Sequence, residues 1–368
     1  MRVHVVDPSS YTPAYDDALC SALAQAGVEV QLFTSRFQYG PLHGERAYLR
    51  NEFFYRRSHS SARSGQRGHT GVAVKLFEHI PDMLRYRAAA RSAEIVHFQW
   101  LTVQPLDIHL LPSGRPVVLT AHDILPREPR TGQLRAQRRL YERVDAIVVH
   151  SFHGQRRLVE ELGVDHERVH VIPHGVLRPG AGQPELPLPE GLREVRGQVV
   201  LFFGLLRPYK GIELLLDAWS GVDGAELWIV GMPRMDTSAL RAKAPANVRF
   251  LESFIPNAQI PAFMRRASFV VLPYSEIDQS GVLFTALGYG RPLLLSDVGG
   301  FPEVAHTGAA RLFNAGDADA LRQALLDLLR NEAVLVDMCA KARAAADGCY
   351  SWHSLARRHL DLYAQLLD

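Results

Sequence analysis

Short apolar runs alternate along the chain with longer stretches whose apolar positions recur at helical spacing. "VHVVD" (Val3–Asp7) reads as a strand, Tyr15–Ala26 as a helix stopped by Gly27, and "VEVQLFT" (Val28–Thr34) as the next strand. A strand, a helix and a second strand in this order predict a parallel sheet, because parallel neighbours need a crossover long enough to hold a helix. "EIVHFQW" (Glu94–Trp100), "RPVVLTAHD" (Arg115–Asp123), "DAIVVHS" (Asp145–Ser151) and "RVHVIPHG" (Arg168–Gly175) supply four more strands. "KLFEHIPDMLRYRAAARS" (Lys75–Ser92) has the helical period, and the Ser/Gly/Arg-rich segment Ser58–Gly71 is predicted as a mobile loop.

The alternation breaks at "LRPGAGQPELPLPEG" (Leu177–Gly191), rich in Pro and Gly, and then restarts. "QVVLFFG", "AELWIVG", "NVRFLES", "ASFVVLPY", "RPLLLSD" and "AARLFN" are the strands of a second sheet. The predicted architecture is α/β: two Rossmann-like doubly wound domains facing each other across a cleft. The first spans residues 1–176 and the second 177–349, and a last amphipathic helix within 350–368 crosses back to the N-terminal domain. In open parallel sheets ligands bind beyond the carboxyl ends of the strands, so loops that follow strands are where chemistry is expected.

Composition narrows the classes. The 368 residues exceed the usual size of a single core, and the formal net charge of +2 gives no footprint for bulk nucleic-acid binding. Charge is uneven, with 11 Lys/Arg against 4 Asp/Glu between Gln31 and Arg91. Such a patch suits a solvated face, an anionic acceptor or a peripheral membrane contact. Three cysteines, Cys20, Cys339 and Cys349, fit no metal spacing or disulfide framework. No apolar run approaches a spanning helix and no signal-peptide core opens the chain, so the expectation is a cytoplasmic protein.

Two stretches carry candidate chemistry. In "FFGLLRPYKGIELLLDAW" (Phe202–Trp219) a buried strand ends at Gly204, two cations follow at Arg207 and Lys210, and a helix starts after Gly211. Free amides at a helix start, a planar guanidinium and an ammonium together suit an anion with more than one phosphate. In "PYSEIDQSGVLFTALGYGRPLLLSDVGGFPEV" (Pro273–Val304) a Ser280–Gly281 turn opens a second helix after another strand. His122 and Asp123 emerge where the strand "PVVLT" ends, and a histidine there can be a base, a hydrogen-bond donor or a turn residue. The D-x-D string Asp317–Asp319 reads as the acidic start of a helix. No metal site is expected.

The pair "FFGLLRPYKG" and "QSGVLFTALGYGRPLLLSDVGGFPEV" resembles the nucleotide-sugar domain of the retaining, GT-B-fold glycosyltransferases of family 4. "VIPHGV" resembles that family's hinge, and "YSWHSLARRHLDLYAQLL" its crossover helix. The resemblance implies a retaining hexosyltransferase-type enzyme that needs no cofactor or metal and takes its sugar from a nucleoside diphosphate sugar. Its acceptor would be a sugar, a lipid-linked or a small molecule, bound through loops such as Gln38–His69. It also implies site residues. Arg207 and Lys210 would hold the diphosphate, beside Gly204. Ser280, Gly281 and Val282 would meet the distal phosphate and sugar, and Phe254 and Ile255 the nucleobase. His122 would reach the sugar, with Tyr11, Tyr15 and Asp123 on the acceptor side. The chain departs from the family where the E-x7-E pair falls on Ile277 and Thr285. Thr285 offers a hydroxyl to the ribose there, and Glu276, Asp278 or Gln279 stands in for the first glutamate. That departure keeps a non-catalytic nucleotide-sugar-binding subunit in play, alongside a GT-B sugar-nucleotide epimerase.

Overall fold

The computed structural model describes residues 1–37, 46–56, 69–101, 103–125 and 132–368. The chain forms two compact units, Met1–Pro173 with Trp352–Asp368, and His174–Ser351. Of the Gln38–His69 stretch expected to shape an acceptor site, residues 38–45 and 57–68 lie outside the described residues.

The first unit holds strands β1 (Arg2–Asp7), β2 (Glu29–Ser35), β3 (Leu49–Phe54), β4 (Ile95–Phe98), β5 (Val117–Thr120), β6 (Ala146–Val149) and β7 (Val169–Val171). They form one parallel sheet in the order β3-β2-β1-β4-β5-β6-β7. Its helices include α1 (Pro13–Gln25), α2 (His69–Ala89), α3 (Gln104–Leu110) and α4 (Gln133–Arg143). The order reverses between β1 and β4, so the loops leaving those two strands part company there and open a crevice. Two sequence readings need correction. β3 was not among the expected strands: it is an edge strand whose one fully buried residue is Phe54, so it shows no apolar run. Helix α2 begins at His69, inside the segment Ser58–Gly71 read as a loop.

The second unit holds β8 (Gln198–Phe203), β9 (Ala225–Val230), β10 (Val248–Leu251), β11 (Phe269–Leu272), β12 (Leu293–Ser296) and β13 (Ala310–Phe313). Their order is β10-β9-β8-β11-β12-β13, again parallel, with the reversal between β8 and β11. Helices α5 (Ile212–Trp219), α6 (Gly281–Gly288) and α7 (Ala318–Arg330) are among those that cover it. Every strand is almost wholly buried apart from the edge strands β10 and β13, which suits a sheet covered on both faces.

The last helix, α8 (Trp352–Leu367), returns to the first unit. Its Leu355, Ala356, Leu362 and Tyr363 share a core with Val3, Val5, Leu19 and Leu32. A buried polar clasp fixes it: His97 Nδ1 lies 2.7 Å from the Tyr363 hydroxyl, and His97 Nε2 lies 2.8 Å from Thr120 Oγ1.

Burial pushes the pKa of His97, His150 and His359 down, to about 4 for the latter two. Unfolded, each ring takes a proton near pH 6.5; folded, it refuses one until far more acid conditions. This share of stability is whole above pH 6.5 and is lost as the pH falls toward 4. A shift of that size amounts to roughly 3 kcal/mol per ring at the acid end. Circular-dichroism melts from pH 8 to pH 4 are therefore expected to show Tm falling steadily below about pH 6.5, and a flat profile to pH 4.5 would contradict the neutral assignment.

Candidate functional site

In the second unit the two loops at the strand-order reversal meet. Gly204 leaves β8 at φ +114°, in the left-handed region. A Cβ there would lie 3.1 Å from Val282 Cγ2 and 3.5 Å from Lys210 Nζ, so the loop after β8, the start of α6 and the lysine converge on one point. Lys210 is 7% exposed. Its ammonium donates to the Tyr274 hydroxyl at 2.7 Å and lies 5.9 Å from the Tyr209 ring centroid. Gly211 then starts α5 at φ +68°, with its α-carbon so close to the strand that a Cβ would sit 1.9 Å from the Pro273 carbonyl oxygen. Only glycine fits there. Arg207 precedes this turn with an extended backbone and an exposed side chain.

Ser280 caps α6 from the β region, is 5% exposed, and makes no side-chain cap bond. Its own N–H donates to Gln279 Oε1 at 3.0 Å. The first-turn amides of α6, those of Gly281 and Val282 included, are thus left for an anion or solvent, where the helix dipole favours negative charge. Glu276 is exposed and Gln279 half-buried on the same loop, while Ile277 packs into the core. Thr285 is buried and donates its hydroxyl hydrogen to the Gly281 carbonyl at 2.9 Å, one turn back. It is committed to the helix and retains only a lone pair for a ligand. Beyond β10, Phe254 stands exposed, while Ile255 beside it is buried in the core. Asp317 accepts the Ala320 N–H at 2.8 Å and so caps α7. Among the described residues no group of three or more His, Cys, Asp and Glu is placed to hold a metal ion.

In the first unit His122 follows β5 and is held from several sides. Trp100 stacks on it (centroids 5.1 Å apart, planes at 13°), and Tyr15 meets it edge-on at 4.8 Å. Its Nδ1 lies 3.2 Å from His150 Nε2, and its Nε2 lies 3.1 Å from the Gln99 side-chain oxygen. The proton positions follow from the far end. His150 Nδ1 lies 3.0 Å from the Ile172 carbonyl, which can only accept, so Nδ1 carries the hydrogen. Burial keeps the His150 ring neutral down to about pH 4, so its Nε2 is bare and accepts from His122 Nδ1–H. His122 Nε2 then faces the Gln99 amide. With Oε1 toward the ring the amide accepts from an imidazolium; turned over, it donates to a neutral ring. Gln99 is fully buried and its Nε2 has no other partner.

The loop after β1 is pinned to the same cluster. Asp7 accepts the N–H groups of Ser9 and Thr12, at 3.1 and 3.2 Å. Thr12 Oγ1 donates to Asp16 and accepts from Trp100 Nε1 at 2.9 Å. Tyr15 is buried, with its other edge against Trp352, so it braces His122 from within and offers no exposed contact. Tyr11, 58% exposed, and Asp123, also exposed, are accessible to a ligand. Gln99, Trp100 and His150 form the cluster around His122. Gln99 and Trp100 stand directly after β4, at the strand-order reversal, which was the signal that could have singled them out.

Comparison with known proteins gives this geometry a family. Residues 197–331 match the family model "Glycosyl transferases group 1", and residues 17–176 match "Glycosyltransferase Family 4". The chain is 37% identical over 177 residues to the phosphatidyl-myo-inositol mannosyltransferase of Mycobacterium leprae, covering 45% of this chain and 46% of that protein. It is 32% identical to the GDP-mannose:glycolipid 4-beta-D-mannosyltransferase of Xanthomonas campestris, with 50% of each covered. The matched region thus spans about half the length of these relatives. HepE of Anabaena, solved with UDP-glucose, superimposes over all of both chains with a TM-score of 0.74 at 18% identity. Two parallel-sheet Rossmann-like units, both family matches and that superposition place the chain among the GT-B-fold glycosyltransferases of family 4, glycosyl transferases group 1.

Proposed function

We propose that this protein transfers a sugar from a nucleoside diphosphate sugar to an acceptor hydroxyl, without a metal and with retention at the anomeric carbon. The observation that carries the proposal is the convergence of Gly204, Lys210 and the uncapped start of α6 at the strand-order reversal of the second unit. The buried ammonium of Lys210 and the first-turn amides of α6 are donors aimed at one place, and a diphosphate has acceptor oxygens for both. Lys210, Arg207 and the α6 amides bind the diphosphate and stabilise the charge it gains as a leaving group. The sugar C1–O bond breaks with its electron pair going to the diphosphate oxygen. The acceptor oxygen bonds to C1 on the same face, and its proton passes to the departing diphosphate. Phe254, exposed after β10, serves the nucleobase. We assign His122 to the transfer step, with its ring and proton fixed by Trp100, His150 and Gln99.

Ile277 and Thr285, buried where the family carries glutamates, favour a second reading: a subunit that binds nucleotide sugar without turning it over. One panel separates the two. Calorimetry and thermal shift with UDP, GDP, ADP and their common sugar conjugates, with and without EDTA, should find one tightly bound nucleoside diphosphate that is lost in Arg207→Ala/Lys210→Ala. Donor consumption then distinguishes enzyme from binder, and the anomeric configuration of the product, read by NMR, tests retention. Binding of none of these nucleotides would remove both readings.

A further inference from the structure

We propose that Asp7 and Asp16 act as one carboxyl pair holding a single proton, carried by Asp16, and that through Thr12 this pair positions Trp100 on His122. This rests on the assignment of His122 to the transfer step and adds the residues that hold its stacking partner in place. Both carboxyls are fully buried, Asp7 at the end of β1 and Asp16 in the first turn of α1. Two carboxylates in contact inside a protein repel each other where charge is poorly screened, so one of them keeps its proton. The hydrogen bonds tell which. Asp7 accepts a backbone N–H on each oxygen, from Ser9 on Oδ1 and from Thr12 on Oδ2, as an ionised carboxylate does. Asp16 takes the Thr12 hydroxyl hydrogen on Oδ1, and among the described residues no donor reaches its buried Oδ2. A proton on Oδ2 turns that bare oxygen into a donor, and the Asp7 carboxylate is its acceptor.

The surrounding groups support this assignment. Burial, and after it the charge of Asp7, raises Asp16 well above the usual carboxylate range, against the pull of the Thr12 hydroxyl and the Arg50 charge. Burial raises Asp7 as well, but Asp16 and the N–H groups of Thr12, Ser9 and Tyr11 act against it by bonding to the charged form, so the charge stays on Asp7. Tyr15, Cys20 and Tyr11 also feel the pair, and burial raises all three, so they stay neutral. Asp17, next along α1, is paired with Arg46 at 3.0 Å. The links from the pair to His122 each have one direction. The Trp100 indole can only donate, so the Thr12 oxygen accepts from it and the hydroxyl hydrogen is left for Asp16. Trp100 in turn stacks on His122. Ser10 stands at φ +51°, an uncommon conformation outside glycine, and Asp7 ties the chain on both sides of it, at Ser9 and Thr12.

The test uses the full chain at pH 7, where an ordinary aspartate is ionised. The infrared difference between wild type and Asp16→Asn should contain the carbonyl band of a protonated carboxyl. Asp16→Asn can keep both bonds, with its oxygen toward Thr12 and an N–H toward Asp7. The Trp100 indole signal and the His122 ring ¹⁵N shifts should therefore hold their wild-type positions, and most of kcat should remain. Asp7→Asn instead turns an N–H toward a backbone N–H, so both sets of signals should move. Thr12→Val keeps the shape and the carboxyl pair but removes the hydroxyl. In it the infrared band should stay, the Trp100 signal should move, and kcat should fall about tenfold with nucleotide affinity unchanged. Absence of the protonated band, or an Asp7→Asn tolerated where Asp16→Asn is not, would overturn the proton assignment. An unchanged Trp100 signal or an unchanged kcat in Thr12→Val would overturn the positioning role. The infrared and NMR readouts need no turnover. If they move as expected in a protein that transfers no sugar, the pair and its hold on Trp100 stand and the transferase reading falls.

Discussion

Lys210→Ala is expected to weaken nucleoside diphosphate binding by roughly ten- to a hundredfold, as the loss of a charge-assisted hydrogen bond to phosphate should. Adding Arg207→Ala should take binding below detection. Lys210→Met keeps the stem and removes the charge, so it should lose affinity to a similar extent while the fold stands. Calorimetry checks the affinity, and thermal melts on the same samples check the fold. Unchanged nucleotide affinity in Lys210→Met would make Lys210 a packing residue and undo the donor site.

The second large effect concerns the transfer step. His122→Ala should lower kcat by about a hundredfold or more, within the range seen when a positioned acid–base or electrostatic group is lost. His150 touches no substrate in this scheme and acts through His122, as a positioning residue. His150→Phe fills the same space yet removes the acceptor for His122 Nδ1–H, and it also leaves the Ile172 carbonyl without its donor. A fall in kcat of about tenfold is expected, with KM for the donor little changed. His150→Gln, whose amide can accept at the Nε2 position, should restore most of it. The ¹⁵N shifts of the His122 ring report directly which nitrogen carries the proton. If His150→Phe keeps both the kcat and the His122 tautomer of the wild type, the relay has no role.

Much of this was legible in the sequence because both sheets are buried on their faces. Buried parallel strands write themselves as apolar runs, and twelve of the thirteen strands among the described residues do so. The exception, β3, lies at an edge, where half-exposed positions such as Arg50 and Asn51 break the run. In the site, Gly204, Arg207, Lys210 and Ser280 were visible because turn chemistry follows strands at fixed points. What a one-dimensional reading missed is side-chain direction. Thr285 looked available and is turned into its own helix; Tyr15 looked like a residue facing the acceptor and lies beneath His122. Gln99 and Trp100 went unremarked because an amide and an indole carry no motif, and their meaning comes from His122, which is 22 residues away from Trp100 in sequence and stacked upon it in space.

The return of α8 to the first unit also orders events during synthesis. Leu355, Ala356, Leu362 and Tyr363 fill a core whose other walls include α1 and strands β1, β2, β4, β5 and β6, and His97 must wait for Tyr363 to complete its hydrogen bonds. Residues 174–351 are all synthesised before those side chains exist. The unit begun first is therefore the one finished last, and until residues 352–368 are made its sheet has an open apolar face for chaperones to cover.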